Sequence, residues 1–376
     1  MRRRQVPQRS AGPRALGFRG GLTVCVAVAV AACGSSGAPL SRTGAGDSAR
    51  AATVVAEVSS TVETEPVPHD GDAADDAAVW VNPVDPAMSA IVATDKQGGL
   101  IVYDLDGEAV QYLPVGEVNN VDVRPAADGF TLDGRPVALV VAGNRSTNAI
   151  GVFVLDPDTR QLRDVADDAI RPDLEVYGSC IYHSAATGKL YAFVDSKEGE
   201  VEQWELTDAG SGRVGGQRVR SFQVESQVEG CVADHERGDF YLGEETRGIW
   251  KFGAEPDAGD SGALIASVSP SGPLVSDVEG LTLVHADGGA GYLIASSQGD
   301  DSYAMFRREG DNGYVGSFRI VAGRGIDGVE ETDGIDVSTA PLGPSFPAGV
   351  FVAQDGKNDG AAQNYKLVPL QDVLPR

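Results

Sequence analysis

Short apolar runs separated by polar turns dominate the chain, and they predict strands rather than helices. Residues 77–81, 100–103 and 137–142 are three such runs. Runs of about four to eight apolar residues bounded by Gly, Asp and Asn are typical of buried β-strands. Apolar stretches with the helical period of about 3.6 residues are scarce. We therefore expect little helix.

An acidic or amide residue, often followed by glycine, precedes an apolar run at six places. These places recur at intervals of roughly 50 residues, and each interval contains about four strand-like runs, which is typical of propeller blades. The chain is long enough for two domains, but two β-sandwiches would not require one acidic motif six times. We therefore predict an all-β fold, a six-bladed β-propeller, over residues 59–376. The motifs contain Asp76, Asn120, Tyr177, Glu229, Glu279 and Asp333.

The first 58 residues differ from the rest. Residues 1–33 contain arginine but no acidic residue, and the apolar run at 21–32 is short for a membrane span. The run ends at Cys33 in a sequence that resembles a bacterial lipoprotein cleavage site. The alternative is an ordinary secretory signal cleaved nearby. Residues 34–58 are small and polar and predict a flexible tether, so we expect an exported protein, secreted or held at the membrane only through lipid on Cys33.

The charge of the chain restricts its ligands. The formal net charge is −25. Because the charged residues among the first 33 are all arginines, the predicted propeller is more acidic still. Such a body does not bind nucleic acid by counterion release, and it repels anions unless cations intervene.

The six motifs are expected to converge. The first strand of each blade lines the central channel, so motifs at the starts of these strands meet at one mouth. Clustered carboxylates repel one another strongly without counterions. Oxygen ligands with almost no His or Cys nearby favour Ca²⁺ or Mg²⁺ over Zn²⁺. The sequence thus predicts several bound cations there, near Asp75, Asp76, Asp122, Glu229, Asp277, Glu279 and Asp333.

Two cysteines follow residue 33, namely Cys180 and Cys231. They occupy equivalent places in successive repeats, so they would lie on neighbouring inner strands within bridging distance. In an oxidising compartment such a pair predicts a disulfide. The alternative is two buried thiols.

Basic residues occur in glycine-containing turns at comparable places in the repeats, namely Lys96, Arg145 and Lys197, the last followed by Glu198. Cations beside bound Ca²⁺ form a site for a polyanion, and phosphate esters are the obvious ligands. For any one of these residues alone, the alternative is a solvated turn.

No familiar nucleophile motif is present: the chain has no Gly-x-Ser-x-Gly, no P-loop and no Cys–His pair at a motif. A hydrolase built on this chain would therefore use metal-activated water. The histidines lack metal-ligand spacing and are expected to be structural or exposed; they are His69, His183, His235 and His285.

Many short stretches, in order from Glu63 to near the C-terminus, resemble the β-propeller phytases, the Ca²⁺-dependent alkaline 3-phytases. Examples are Gly71-Asp-Ala-Ala-Asp-Asp, Asn144-Arg-Ser, Ser226-Gln-Val-Glu-Gly and Thr332-Asp-Gly-Ile-Asp-Val. The resemblance implies a monomeric hydrolase that removes phosphates from phytate (myo-inositol hexakisphosphate), bound as calcium phytate.

The resemblance also implies roles for individual residues. The catalytic Ca²⁺ ligands would be Glu63, Asp75, Glu229, Glu279 and Asp327, with Asp76, Glu245, Asp277 and Asp333 close by. A structural Ca²⁺ would bind Asp355 and Asn358 in the last blade. Phosphate would contact Lys96, Arg145, Tyr177 and Lys197, with Glu198 beside them.

The chain departs from the family pattern at three places. Gln97 stands where a second lysine often follows Lys96, which would weaken binding of the neighbouring phosphate. Glu117 replaces a lysine before the Asn-Asn pair and adds negative charge near the mouth. The loop after Asn358 is shorter, which bears on the structural Ca²⁺ site.

Two other functions remain open at this point. A different propeller hydrolase, such as a metal-dependent lactonase, commonly uses one Ca²⁺ with His or Asn ligands, and the lack of histidine in the motifs argues against it. A non-catalytic, lipid-anchored propeller would hold structural Ca²⁺ and bind its ligand without releasing phosphate.

Overall fold

The computed structural model describes residues 55–167 and 170–375. The predicted signal segment, the lipidation site at Cys33 and the tether up to residue 54 lie outside these residues. No helix in the described ranges is long and apolar enough to cross a membrane.

Strands are the main secondary structure of the described residues. One α-helix, α1 (Leu370–Val373), and four 3-10 turns (Pro86–Met88, Ala126–Asp128, Asp287–Gly289 and Gln298–Asp300) complete the structure. The strands are β1 (Val55–Val58), β2 (Val62–Glu63), β3 (Ala74–Trp80), β4 (Ala90–Asp95), β5 (Gly99–Tyr103), β6 (Ala109–Leu113), β7 (Val118–Arg124), β8 (Thr131–Leu132), β9 (Arg135–Pro136), β10 (Ala138–Asn144), β11 (Ala149–Leu155), β12 (Leu162–Asp164), β13 (Ser179–His183), β14 (Leu190–Asp195), β15 (Glu200–Gly210), β16 (Arg213–Gln223), β17 (Val228–Asp234), β18 (Asp239–Glu244), β19 (Gly248–Gly253), β20 (Ala263–Ser267), β21 (Val278–His285), β22 (Gly291–Ser297), β23 (Ser302–Arg307), β24 (Tyr314–Ile320), β25 (Ile335–Ser338), β26 (Val350–Asp355) and β27 (Asn364–Pro369).

Six radial sheets form a closed ring. From the channel outwards they are β3-β4-β5-β6, β7-β10-β11-β12, β13-β14-β15-β16, β17-β18-β19-β20, β21-β22-β23-β24-β1 and β25-β26-β27-β2. Strands β8 and β9 form a separate hairpin. Each inner strand contacts the next one around the channel, and β25 contacts β3. The predicted six-bladed β-propeller is confirmed.

The two ends of the described chain close the ring together. Strand β2 pairs antiparallel with β27, so Glu63 lies opposite Lys366 in the sixth sheet. Strand β1 adds in parallel to β24. The composition placed residues 55–58 in the tether, and the structure corrects that boundary. The unpaired edge of β24 offers backbone hydrogen-bonding groups to these residues, and Val58 is buried in the core.

The apolar cores lie between neighbouring sheets. Phe193 of the third sheet stacks on Phe240 of the fourth, with ring centroids 4.0 Å apart. Burying one such ring contributes about 1.5–3 kcal/mol. Four of the six second strands, β4, β10, β14 and β26, are buried along their full length because they are covered on both faces. This explains why the sequence shows continuous apolar runs there.

A disulfide joins Cys180 to Cys231, across a sequence separation of 51 residues. It connects the inner strands β13 and β17 of adjacent blades. The pairing predicted from the repeat is confirmed.

Candidate active site

Three inner strands carry a β-bulge at their acidic motif. The pairing register shifts within residues 74–77, 228–231 and 278–281. A bulge inserts an extra residue, bends the strand and re-aims its side chains. These bulges coincide with the carboxylates of Asp75, Glu229 and Glu279.

The glycines that follow Glu229 and Glu279 let adjacent inner strands approach closely. A Cβ on Gly230 would lie 2.1 Å from the carbonyl oxygen of Glu279, and one on Gly280 would lie 2.7 Å from that of Asp333. The Gly280 N–H also donates to the Asp333 carbonyl, at 2.6 Å. A side chain at either glycine would push two blades apart. The acid–glycine motif is therefore what brings carboxylates of successive blades together.

Three glutamates form the centre of the site. Glu229, Glu245 and Glu279 each offer an oxygen, and these oxygens lie within 4.8 Å of one another. They line a cavity of about 310 Å³ at the channel mouth, together with Asp333. Burial raises the pKa of Glu245 and of Glu279, and the nearby charge of Asp277 adds to both shifts. The structure thus brings together four of the predicted metal ligands and places Asp277 beside them.

Asp75 completes the acidic mouth. Its side chain is 1% exposed, and neither carboxylate oxygen has a hydrogen-bond partner among the described residues. Its nearest cation is the Lys96 ammonium at 3.3 Å, and a buried carboxylate with so few partners remains costly unless it also coordinates a metal. All these donor atoms are carboxylate oxygens, which suit a hard divalent cation. The residues therefore fit the predicted Ca²⁺.

Lys96 connects three acidic residues at the mouth. Its ammonium lies 2.6 Å from Asp72, 2.8 Å from Asp333 and 3.3 Å from Asp75. Burial lowers the pKa of Lys96, but Asp75 and Asp333 raise it more, so the group stays charged. Lys96 therefore supplies a fixed positive charge beside the carboxylates.

A buried amide joins Arg145 to the glutamates. The Arg145 Nη1–H donates to Asn119 Oδ1 at 2.7 Å, and Asn119 Nδ2–H donates to Glu229 Oε1 at 3.1 Å. Asn119 is 1% exposed. This residue fixes the guanidinium relative to the carboxylate. Asn119 was not among the site residues predicted from the sequence, although it belongs to the Asn-Asn motif.

Tyr177 lines the same cavity, and Lys197, which does not line it, packs over the Tyr177 ring. The Lys197 ammonium is 4.2 Å from the centre of the Tyr177 ring. Burial, followed by the charge of Glu229, raises the pKa of Tyr177, so the hydroxyl remains protonated and can donate. Glu198 is exposed, and its hydrogen bonds are made by its backbone, to Ser196 and Gln223. It does not line the cavity.

Asp76 lies deeper, in the channel itself. Its carboxylate accepts a hydrogen bond from the backbone N–H of Val121 in the next blade, at 3.1 Å. Asp122 accepts from Ile181 in the same way, and Asp336 accepts from Val79. These contacts connect inner strands of different blades. In this structure the carboxylates of Asp76 and Asp122 therefore join blades rather than line the mouth.

Four predicted metal ligands form a second, separate group around Lys366. The ammonium of Lys366, whose side chain is fully buried, lies 2.6 Å from Glu63, 2.5 Å from Asp327 and 3.3 Å from Asp355. Asn358 Oδ1 lies 3.3 Å from the same ammonium. Glu63 and Asp327 are thus grouped with Asp355 and Asn358, away from the cavity glutamates. The cause is the pairing of β2 with β27 at the outer edge of the sixth sheet.

These four residues fit a Ca²⁺ ion less well than the mouth does. Their oxygens face an internal ammonium, which would have to move before a metal could bind. The assignment of these residues to Ca²⁺ stays a prediction.

One further residue at the mouth, Gln298, was not predicted from the sequence. Gln298 Nε2–H donates to Asp333 Oδ1 at 2.6 Å, which orients that carboxylate on the side away from Lys96. It belongs to the Ser-Ser-Gln-Gly stretch at the end of β22. Because its side chain is neutral, it was not among the charged residues predicted as ligands.

Burial and mutual repulsion raise the pKa of several mouth carboxylates in the metal-free protein. Burial, followed by Asp75, raises the pKa of Glu229 well above its ordinary value. Burial raises the pKa of Glu279 as well, and burial followed by Asp75 raises that of Asp333 to about 7. The metal-free mouth therefore holds protons that a bound cation would displace.

A pH-dependent stability follows. Between pH of about 4 and 7, an unfolded chain has released the Asp333 proton that the folded, metal-free chain retains. The free energy of unfolding of the metal-free protein therefore falls as pH rises through this window. The fall is up to about 1.4 kcal/mol per pH unit for each carboxylate whose pKa is raised in this way. We expect Ca²⁺ to raise the melting temperature more at pH 8 than at pH 5. Asp333→Asn should reduce the difference between the Ca²⁺-induced rises in melting temperature at pH 8 and pH 5. A larger rise at pH 5 than at pH 8 in the unsubstituted protein would contradict this prediction.

Fold and site together define a class: a six-bladed propeller whose channel mouth carries buried carboxylates beside basic side chains. The family model described as Phytase matches residues 24–374. The chain is also 45% identical over 326 residues to a 3-phytase of Bacillus subtilis (strain 168), covering 84% of each chain. The chain belongs to the phytase family, so the resemblance inferred from the motifs and the prediction of an enzyme of this class are confirmed.

Proposed function

We propose that this protein is a Ca²⁺-dependent 3-phytase, a phosphomonoester hydrolase that removes phosphates from phytate at the acidic channel mouth. The observation that carries the proposal is the buried mouth itself. Asp75 has no hydrogen-bond partner among the described residues, and it lies with Glu229 and Glu279 beside the basic side chains. Membership of the phytase family supports the substrate class.

The basic residues bind and orient the substrate. Arg145 presents a planar guanidinium suited to two phosphate oxygens, and Asn119 fixes its position. Lys96 adds positive charge in the cavity lining, and Lys197 adds it beside the ring of Tyr177. Tyr177 retains its proton and can donate a hydrogen bond to a phosphate oxygen. We assign these four residues to phosphate binding.

The carboxylates hold the cations that the chemistry requires. Asp75, Glu229, Glu245 and Glu279 would bind Ca²⁺, with Asp333 kept in place by Lys96 and Gln298. When bound, Ca²⁺ supplies neutralisation of the phosphate charge and makes water more acidic. Burial of Asp75, Glu229 and Glu279 limits how much bulk water shields these charges.

The positioning role of Asn119 is testable. Asn119→Leu keeps the approximate volume but removes hydrogen bonds to two charged groups, each worth about 1.5–3 kcal/mol. We expect kcat/KM for phytate to fall by about tenfold to 100-fold, measured as initial phosphate release at saturating Ca²⁺. Asn119→Asp keeps the acceptor for Arg145 but repels Glu229, so it should weaken Ca²⁺ activation more than it weakens phytate binding. Unchanged kinetics in both variants would exclude the role.

The function is tested by three measurements on the purified protein: phosphate release from phytate, lactone hydrolysis and phytate binding. We expect phosphate release from phytate in the presence of Ca²⁺ and no hydrolysis of lactones. Lactone hydrolysis without phosphate release would favour the other class of propeller hydrolase. Binding of phytate without turnover would favour a non-catalytic propeller. Either outcome would overturn the proposal.

We further propose that the protein is exported, anchored by lipid on Cys33 or secreted, and that it acts as a monomer on calcium phytate. The arginine-rich and apolar start of the sequence and the Cys180–Cys231 disulfide support export, because disulfides persist in oxidising compartments. Labelling with radioactive palmitate tests the anchor, and Cys33→Ala is the control.

A further inference from the structure

Three histidines lie at the mouth of the channel opposite the carboxylates. His183 ends β13, His235 directly follows β17 and His285 ends β21. These are equivalent places in three successive blades. The sequence predicted histidines without metal-ligand spacing, either structural or exposed, and the structure places two of them beside a glutamate. His235, Glu236 and His285 each offer a ligand atom, and these atoms lie within 4.8 Å of one another.

The two histidines at the centre of this cluster are held close together. Their rings stack with centroids 4.9 Å apart, and His285 Nδ1 lies 3.7 Å from Glu236 Oε2. His235 Nδ1 is buried and has no hydrogen-bond partner in the described part of the chain. A buried ring nitrogen without a partner is costly, and a metal ion would satisfy it.

The glutamate of this cluster is oriented by a buried arginine. Arg308, which is fully buried, donates to both carboxylate oxygens of Asp234 and reaches Glu236 Oε2 at 2.7 Å. Such outer contacts fix a ligand's orientation in metal sites. The positive charges nearby are compensated, because Arg308 is paired with Asp234 and Arg124 with Asp128 at 2.7 Å.

We propose that His235, His285 and Glu236 form a second metal site, which takes a borderline divalent cation such as Zn²⁺ or Co²⁺ rather than Ca²⁺. Two imidazoles and one carboxylate are a ligand set that Zn²⁺ uses in proteins, with a fourth position open. Ligand atoms on a tetrahedral Zn²⁺ are about 3.3 Å apart, so the side chains would close by about 1.5 Å at most. The oxygen-only mouth at the other end of the channel prefers harder ions.

The electrostatics of the histidines agree with this geometry. Burial, followed by the charges of Arg124 and His285, lowers the pKa of His235 to about 4. Burial, followed by Arg308, lowers the pKa of His285. Both rings are therefore neutral near pH 7, which is the form that binds metals.

The test uses Co²⁺ as a spectroscopic probe on the purified protein in excess Ca²⁺, which saturates the carboxylate mouth. We expect one Co²⁺ per chain with visible absorption typical of nitrogen ligation, displaced by Zn²⁺. His235→Gln and His285→Gln should each weaken Co²⁺ binding by more than the roughly tenfold to 100-fold that follows loss of an outer contact.

Two controls separate this site from others. His183→Gln, at the same mouth but 3.8 Å from Asp128, should leave Co²⁺ binding unchanged, and so should Glu229→Gln at the other mouth. Circular dichroism verifies folding, and if one histidine variant unfolds the other carries the test. No Co²⁺ binding in excess Ca²⁺, or equal affinity in a folded His235→Gln or His285→Gln protein, would overturn the proposal. The result does not depend on the phytase assay.

Discussion

Removal of Ca²⁺ with EDTA reduces phosphate release from phytate to background, and Ca²⁺ added in excess over the chelator restores it. This is the largest effect that we expect. The mouth gathers Asp75, Glu229, Glu279 and Asp333, which influence one another's pKa values. Two like charges about 4 Å apart repel by about 4 kcal/mol at the effective dielectric of a protein surface. The carboxylates that remain ionised therefore repel a phosphate dianion until cations neutralise them.

The chelation experiment needs a control for folding. Metal-free carboxylates take up protons rather than remain fully charged, so the fold should persist near neutral pH, and circular dichroism should show the strands intact in EDTA. Recovery of the full rate on adding Ca²⁺ shows that the loss was reversible. Undiminished phosphate release in an excess of EDTA would contradict a Ca²⁺-dependent mechanism.

The blade repeat was readable from the sequence because one physical requirement recurs in it. The motifs around Glu229 and Glu279 pair an acid with a glycine, since a Cβ on Gly230 or Gly280 would strike the neighbouring blade. Cys180 and Cys231 lie on the inner strands of adjacent blades, which explains why their pairing was predictable from the repeat. Where geometry demands a residue type at a fixed interval, sequence spacing reveals it.

The separation of the predicted metal ligands into two groups could not be predicted from the sequence. Glu63 meets Lys366 only because β2 pairs with the last strand, and no local pattern records a pairing across the whole propeller. Asp75 and Asp76 are neighbours in sequence, yet one faces the mouth and the other joins two blades. Consecutive side chains of a strand point to opposite faces, and here the strand also carries a bulge. His235 and His285 meet because β17 and β21 are neighbouring inner strands, although each histidine looks isolated in the sequence.

Replacing Glu229 by glutamine separates the function of this carboxylate from its cost to the fold. Glu229 is 5% exposed, and burial and repulsion from Asp75 and Glu279 raise its pKa. The amide keeps the shape of the side chain but removes a charged ligand and weakens the contact with Asn119. We expect kcat for phosphate release to fall at least about 100-fold, comparable with losing one preorganised charge-stabilising group.

The same substitution should stabilise the protein when Ca²⁺ is absent, because it removes a buried ionisable group that its neighbours repel. Glu229→Gln should therefore melt at a higher temperature than the unsubstituted protein in EDTA at pH 8, and gain less from added Ca²⁺. Glu108→Gln is the matched control, since Glu108 is exposed in the turn between β5 and β6 and should leave both measurements unchanged. A loss of turnover accompanied by a lower melting temperature in EDTA would point to a damaged fold. A normal rate in Glu229→Gln would remove this residue from the reaction, because a carboxylate that binds the required cation cannot be neutralised without effect.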